Sequence, residues 1–191
     1  VNLDSYQQLG GSLYVGGGFF ANQFDLSQSQ SPSLISGGSS SGGFLVGGGG
    51  APSAFAQSGG EISGFSTVKI VVDSQGNSAL SKSLQLSGTA ALSATLSARD
   101  RLELEAKEGL MNLAYANLSA TNSNSQSRVN LRAYSNLDLS DVTISAPAAK
   151  FELRAGTSGG LGSLSIARST LNAAAGAQGG IGGEVRGYGS S

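Results

Sequence analysis

The chain contains no cysteine, no histidine and no tryptophan. The absence of cysteine is compatible with both a bacterial extracellular location and a cytoplasmic one. Without histidine, the chain lacks the side chain that most often serves as a general base near neutral pH. Aromatic residues make up only 6% of the chain, and the net charge is -1. We therefore expect a thin interior of small aliphatic residues, and no basic face for nucleic acid.

Long hydrophobic runs are also missing, since no stretch of eighteen apolar residues occurs, and this excludes a membrane-spanning helix. Glycine is abundant, with 30 residues in 191, but a hydrophobic fraction of 39% is enough for one domain with a core. Disordered chains combine low hydrophobicity with high charge, and only 12% of these residues are charged. Disorder therefore explains part of the chain at most.

A strand-length repeat is the most informative feature present. LELEA at 102–106 returns as VNLRA at 129–133 and as FELRA at 151–155, at spacings of 27 and 22 residues. Such spacing predicts an all-β parallel β-helix with about three short strands per turn, because each coil places its inward side chains above those of the last. The expected interior columns contain Leu102, Leu104, Ala106, Val129, Leu131, Ala133, Phe151, Leu153 and Ala155.

A helix is the competing interpretation for residues 98–113, which are rich in alanine, leucine and glutamate. Alternation favours strands, because Leu102, Leu104 and Ala106 share one face of a strand but lie on different sides of a helix. The expected first turn has strands at 102–106, 110–113 and 116–120. The next two turns have strands at 129–133, 137–139 and 142–146, then at 151–155, 164–166 and 171–173.

The same register predicts which outward side chains are neighbours. Glu105 should lie beside Arg132, with Arg154 one coil further, as a surface ladder of ion contacts. Glu103, Asn130 and Glu152 should form the adjacent column, in which the asparagine separates two like charges. Because such pairs are exposed, we expect them to contribute roughly 0 to 1 kcal/mol each.

The chain divides by composition into a Gly/Ser-rich segment at 1–60 and a solenoid domain at 61–191. The first segment is interpreted as irregular structure or short strands with glycine turns, and a disordered tail is the alternative. Short apolar strips in it predict an arm or strand that contacts a neighbouring subunit. The candidate subunit contacts are Leu13, Val15, Phe19, Phe20, Phe44, Leu45, Val46, Ile181 and Val185.

The pattern Leu-x-Leu-x-Ala, Val-x-Ile-x-Ala and Phe-x-Leu-x-Ala-Gly resembles the filamentous-haemagglutinin type of right-handed parallel β-helix, found in large secreted bacterial adhesins and related surface proteins. The resemblance covers roughly 84–185 and does not extend to the glycine-rich first third. It implies an extracellular, elongated module without enzymatic activity, and it leaves the ligand open.

Candidate catalytic residues are few. Asp138 and Asp141 are the carboxylates to consider, because both lie near an expected corner, but Asp141 is equally explained as a turn former after Ser140. The remaining carboxylates are scattered and do not have the spacing of a calcium loop. No lysine adjoins the glycine tracts in the way a phosphate-binding loop requires. We expect no enzymatic activity, no cofactor and no metal.

The expected function is that of an extracellular or cell-surface structural protein. No capping helix is expected after Leu171, so the coil should accept another copy of itself and form a head-to-tail fibre. The alternative is a monomeric adhesin or surface-layer module that binds a glycan or a host surface. Ice binding by a flat hydroxyl-bearing face is a lesser alternative, because regular Thr-x-Thr columns are not evident.

Overall fold

The protein is described by a computed structural model that covers residues 1–26, 33–37, 42–75, 84–122, 127–146, 150–156, 161–173 and the backbone of 184–188. This part of the chain contains eighteen β-strands, and every pairing between them is parallel. The strands are β1 Asn2–Gln7, β2 Gly11–Val15, β3 Phe19–Leu26, β4 Ser33–Gly37, β5 Gly43–Gly47, β6 Ala54–Gln57, β7 Gly60–Val72, β8 Leu84–Ser87, β9 Ala94–Ala106, β10 Met111–Ala114, β11 Ala116–Ala120, β12 Arg128–Ala133, β13 Leu137–Ser140, β14 Thr143–Ser145, β15 Lys150–Arg154, β16 Leu164–Ala167, β17 Thr170–Asn172 and β18 Glu184–Tyr188.

The pairings form a β-solenoid with three faces. The first face stacks the starts of β1 and β3, then β5, the second halves of β7 and β9, β12, β15 and β18. The second face stacks the ends of β1 and β3, then β6, β8, β10, β13 and β16. The third face stacks β2, β4, the starts of β7 and β9, β11, β14 and β17. The expected fold class and the three strands per turn are confirmed, and residues 98–113 contain no helix.

The interior consists of vertical columns of apolar side chains. On the first face, Leu104 lies beside Ile70 on one side and Leu131 on the other, and Leu131 lies beside Leu153. These four side chains are at most 1% exposed. The register therefore places one inward residue of each coil directly against its counterpart in the next, which removes the apolar surface of the inner coils from water.

Strands before residue 60 belong to the same solenoid. β4 and β5 both pair with β7, and β6 pairs with β8, so the sheet continues across the compositional boundary. The buried core is likewise continuous through both parts of the chain. An arm reserved for a neighbouring subunit would leave these strands unpaired, whereas the structure pairs them within the chain.

The interior is aromatic in the N-terminal coils and mostly aliphatic in the later ones. Phe19 stacks on Phe44 with ring centroids 4.8 Å apart, and Phe24 stacks on Phe55 at 5.1 Å. Phe24 also meets Phe44 edge to face at 5.2 Å, which joins the two stacks. In later coils, valine, leucine and methionine occupy the same columns, until Phe151 stacks on Val129 in the first of them. The aromatic residues of the N-terminal strips therefore fill the solenoid's interior.

The corners between the second and third faces use single left-handed residues. Tyr115, Asp141 and Arg168 occupy this corner in successive coils with φ of 47°, 55° and 49°. The amide of Tyr115 donates to the Ser140 carbonyl, and that of Asp141 donates to the Ala167 carbonyl, both at 3.0 Å. A single residue thus turns the chain, and its backbone amide still hydrogen-bonds to the next coil. The turn has the steric cost of a left-handed conformation.

Two buried glutamines stabilise another set of turns. The side-chain nitrogens of Gln8 and Gln57 each donate to two glycine carbonyls of the turn that follows. The Gln8 Oε1 accepts a hydrogen bond from the hydroxyl of Tyr6 at 2.7 Å. At Gln57 the position of Tyr6 is occupied by Phe55, and within the described residues the Gln57 Oε1 has no hydrogen-bond partner. A buried acceptor is therefore left unsatisfied.

We expect Phe55→Tyr to stabilise the fold by about 1 kcal/mol, because the new hydroxyl meets Gln57 as Tyr6 meets Gln8. Phe24→Tyr is the matched control, since Leu26 takes the glutamine position in that coil and leaves the hydroxyl without this acceptor. That control should lose roughly 1 to 3 kcal/mol. Urea unfolding of both variants measures the difference, and a shift of the same sign in both would refute the pairing.

Candidate functional site

The two carboxylates considered for catalysis have different settings. Asp141 lies at a left-handed corner, where Arg168 donates to it from Nε at 2.8 Å and from the terminal nitrogen at 2.6 Å. Ser140 donates its hydroxyl to the same carboxylate at 3.0 Å. Asp138 lies on β13, beside Asn112 of β10 and Ser165 of β16. Asp141 is therefore a member of a corner ion pair that joins two coils.

Hydrogen bonds from Arg168 lower the pKa of the Asp141 carboxyl below its ordinary 3.8, and the hydroxyl of Ser140 and the charge of Arg168 add to this effect. Asp100 lies where β9 passes from the third face to the first, and its pKa is lowered first by hydrogen bonds from Arg99 and then by one from Asn122. Within the described ranges, no group of three carboxylates is arranged to hold a metal ion. Both aspartates accept hydrogen bonds from a side chain of the next coil.

The structure corrects the expected subunit contacts. Val15, Phe19, Phe44 and Val46 are at most 3% exposed and pack inside this chain, so they are not available to a neighbour. The reason is that their strands form complete coils, which turn these side chains inward. Ile181 and the side chain of Val185 lie outside the described residues, although the backbone of Val185 pairs with Phe151.

Two of the remaining candidates lie on the surface. Phe20 and Leu45 are outward neighbours in adjacent coils of the first face. They line a shallow groove of about 390 Å³ together with Gly47, Gly48, Gly49, Lys69, Val71, Glu105 and Lys107. Leu13 is a different case, because it points inward but lies in the first coil, where it is only partly buried.

Interior positions become exposed in the outermost described coils. Leu3 occupies the column of the fully buried Ala21, yet Leu3 is 37% exposed. At the opposite end, Ile166 pairs with Leu139 and is 46% exposed against 1% for Leu139. Leu13 and Leu171 are likewise less buried than Ile35 and Ile144, their partners one coil further in. Each end of the described solenoid thus presents a layer of core side chains.

Charged side chains concentrate on the first face. Arg132 lies opposite Glu105 in register, as the sequence predicts, but its ion pair is with Glu152, at 3.1 Å. Arg154 approaches the same carboxylate at 3.6 Å. Arg132 therefore pairs with the other neighbouring strand, two residues before its register partner Arg154, because a long arginine side chain reaches that strand diagonally.

The third face carries an uncharged polar array that the sequence interpretation overlooked. Four coils repeat it as ATLSA at 94–98, ANLSA at 116–120, VTISA at 142–146 and STLNA at 169–173. The Ser119 hydroxyl donates to Ser97 in the neighbouring coil at 2.9 Å. Aligning these four segments would have revealed the array. Its outward members are Thr95, Ser97, Asn117, Ser119, Thr143, Ser145, Thr170 and Asn172.

Comparison of the chain with protein-family models, with curated proteins and with solved structures finds no match to any of them. The described residues include no helix of the length and apolar character that crossing a bilayer requires. The chain is therefore classified by its fold alone, as an all-β solenoid of parallel strands.

The corner pair predicts a pH-dependent stability. Because the folded-state pKa of Asp141 is lowered, its contribution is complete above the ordinary value of 3.8 and is lost as the pH falls through the lowered value. Asp141→Asn should therefore destabilise the protein at neutral pH and have less effect in acid. Urea midpoints measured from pH 7 to pH 2 give the comparison.

Arg168→Gln supplies the control for this effect. If the two side chains act as a pair, the double variant should lose no more stability than either single variant. Additive losses, or a loss in Asp141→Asn that persists unchanged in acid, would contradict the assignment.

Proposed function

We propose that this chain is an extracellular structural protein whose solenoids stack head to tail into a fibre. A contact of this kind joins different ends of two copies and therefore does not close on itself. The observation that carries the proposal is the partial exposure of inward side chains in the outermost described coils, against their full burial in the coils between.

The geometry of these coils suits strand addition. β1 and β2 run parallel to the strands they pair with, and the described structure places a partner on one side of each only. A second copy that continues the stack would hydrogen-bond to the other side and cover Leu3 and Leu13. Core columns would then pass from one subunit to the next, which adds apolar burial to backbone hydrogen bonding.

The surface location is part of the proposal. The sequence pattern resembles filamentous-haemagglutinin β-helices, and a chain with no cysteine and a single methionine tolerates oxidising surroundings. We therefore place the fibre outside the cell, on a bacterial surface. In the alternative, a monomeric adhesin or surface-layer module, the same solenoid presents its faces to a glycan or host surface and its ends stay separate.

Leu13→Glu tests the fibre. The substitution puts a carboxylate where a neighbouring coil would pack, and burying it without a partner costs several kcal/mol. We expect the wild-type chain to form polymers that grow with concentration and the variant to remain monomeric. Sedimentation velocity over a concentration series and electron microscopy of the same samples provide the measurement.

Ser12→Glu is the matched control, because Ser12 lies on the same strand but is fully outward. It should polymerise as the wild type does, and circular dichroism should show that both variants keep their strands. A wild-type chain that stays monomeric at every concentration would instead support the adhesin module. Polymers of Leu13→Glu equal to those of the wild type would also contradict the proposed junction.

The hydroxyl array on the third face favours a second candidate, ice binding. Its outward side chains repeat at about 4.8 Å between coils and about 6.6 Å along each strand, which forms a flat lattice. The buried side chains of Leu96, Leu118 and Ile144 lie behind this face, and this packing keeps the outward side chains of the array at one level above the sheet. Each serine or threonine hydroxyl offers one donor and two acceptors, so the face can hold water in an ordered layer.

Asn117→Arg and Asn112→Arg separate this candidate from a general surface effect. Both asparagines are exposed and belong to one coil, but Asn117 is on the third face and Asn112 on the second. Inhibition of ice recrystallisation should be lost in Asn117→Arg, because a charged side chain protrudes from the lattice, and retained in Asn112→Arg. No activity in the wild type, or equal losses in both variants, would exclude ice binding.

A further inference from the structure

We propose that the first face binds an acidic polysaccharide through a column of three cationic side chains, Arg101, Arg128 and Lys150. Arg128 pairs in register with Arg101 on one side and with Lys150 on the other. All three are exposed. They point outward because Leu102, Val129 and Phe151, the next residues on the three strands, point into the core. This site is independent of the proposed fibre.

The column is poorly neutralised by the protein itself. Arg101 approaches Glu103 at 3.7 Å, but Glu103 also faces Lys69 at 3.8 Å. Arg128 and Lys150 take part in none of the ion pairs within the described side chains. Like charges directly opposite each other on neighbouring strands destabilise a sheet. An anion placed along the column removes this repulsion, and this gives the column a physical reason to bind one.

The first face as a whole is also positively charged. Its described strands from β7 to β15 carry six cationic side chains and three glutamates, whereas the whole chain has a net charge of -1. The positive charge is therefore segregated onto one side of the solenoid, where its field attracts polyanions. The cations are Lys69, Arg101, Arg128, Arg132, Lys150 and Arg154, and the glutamates are Glu103, Glu105 and Glu152.

The shape of the site favours a polymer. The three cations follow the solenoid axis at about 4.8 Å per coil, so they match charges that recur along an extended chain. Asn130 lies between Arg128 and Arg132 on β12 and provides an amide that can bond to hydroxyl groups. The cations are carried on an open sheet face. A polysaccharide with carboxylate or sulfate groups combines these features, whereas duplex DNA needs a broader basic surface.

Binding of polygalacturonate and dextran sulfate, measured by calorimetry at several salt concentrations, tests the proposal. The wild-type chain should bind both, with affinity that falls as salt rises, and should not bind neutral dextran. The double variant Arg128→Gln/Lys150→Gln should bind on the order of tenfold more weakly, with a shallower salt dependence, because two exposed ion pairs are lost.

Lys150→Gln and Lys107→Gln form the matched pair of single variants. Both remove one exposed lysine, but Lys107 lies outside the column and pairs with Asp73 at 3.5 Å. Only Lys150→Gln should weaken binding. Equal weakening in both variants, equal binding of neutral dextran, or duplex DNA bound as tightly as the acidic polysaccharides would each overturn the proposal. Circular dichroism checks that every variant keeps its strands.

Discussion

The structure depends on one constraint, the parallel register that places each inward side chain against its counterpart in the next coil. A slip of one residue would turn every core side chain of that strand outward. The register that stacks Leu102 on Val129 and Phe151 therefore also stacks Arg101 on Arg128 and Lys150. Burial selects the inward columns, and the outward columns follow from it without any attraction between their members.

Sequence patterns were sufficient where apolar residues alternate without interruption. Segments 102–106, 129–133 and 151–155 specify strand, inward face and order of stacking, because no other structure buries their side chains together. The N-terminal strips are harder to interpret, since glycine and serine interrupt the alternation of apolar and polar residues there. The sequence analysis assigns Phe19 and Phe44 to a contact between subunits, whereas in the structure they occupy the same interior column as Val68.

The proposed binding surfaces are less predictable from the sequence for a different reason. Composition averages over all faces, so a net charge of -1 conceals a positive first face and a third face whose outward side chains from β9 to β17 are uncharged. Register identifies which residues are neighbours but not which rotamers meet, and this is why Arg132 bonds Glu152 rather than Glu105. Residues 22 to 27 positions apart become adjacent only once the coils are stacked.

In a solenoid of this kind, contacts that are weak individually are repeated in every coil, so that their contributions to binding can add. An exposed ion pair contributes no more than about 1 kcal/mol, and an isolated hydroxyl on a surface binds water no better than another water molecule does. Repeated at about 4.8 Å on a rigid core, the same groups would engage a repeating partner together, and the entropy of aligning them would be lost once. Stacking of solenoids end to end would lengthen each column. The proposed fibre and the proposed binding surfaces thus depend on the same register.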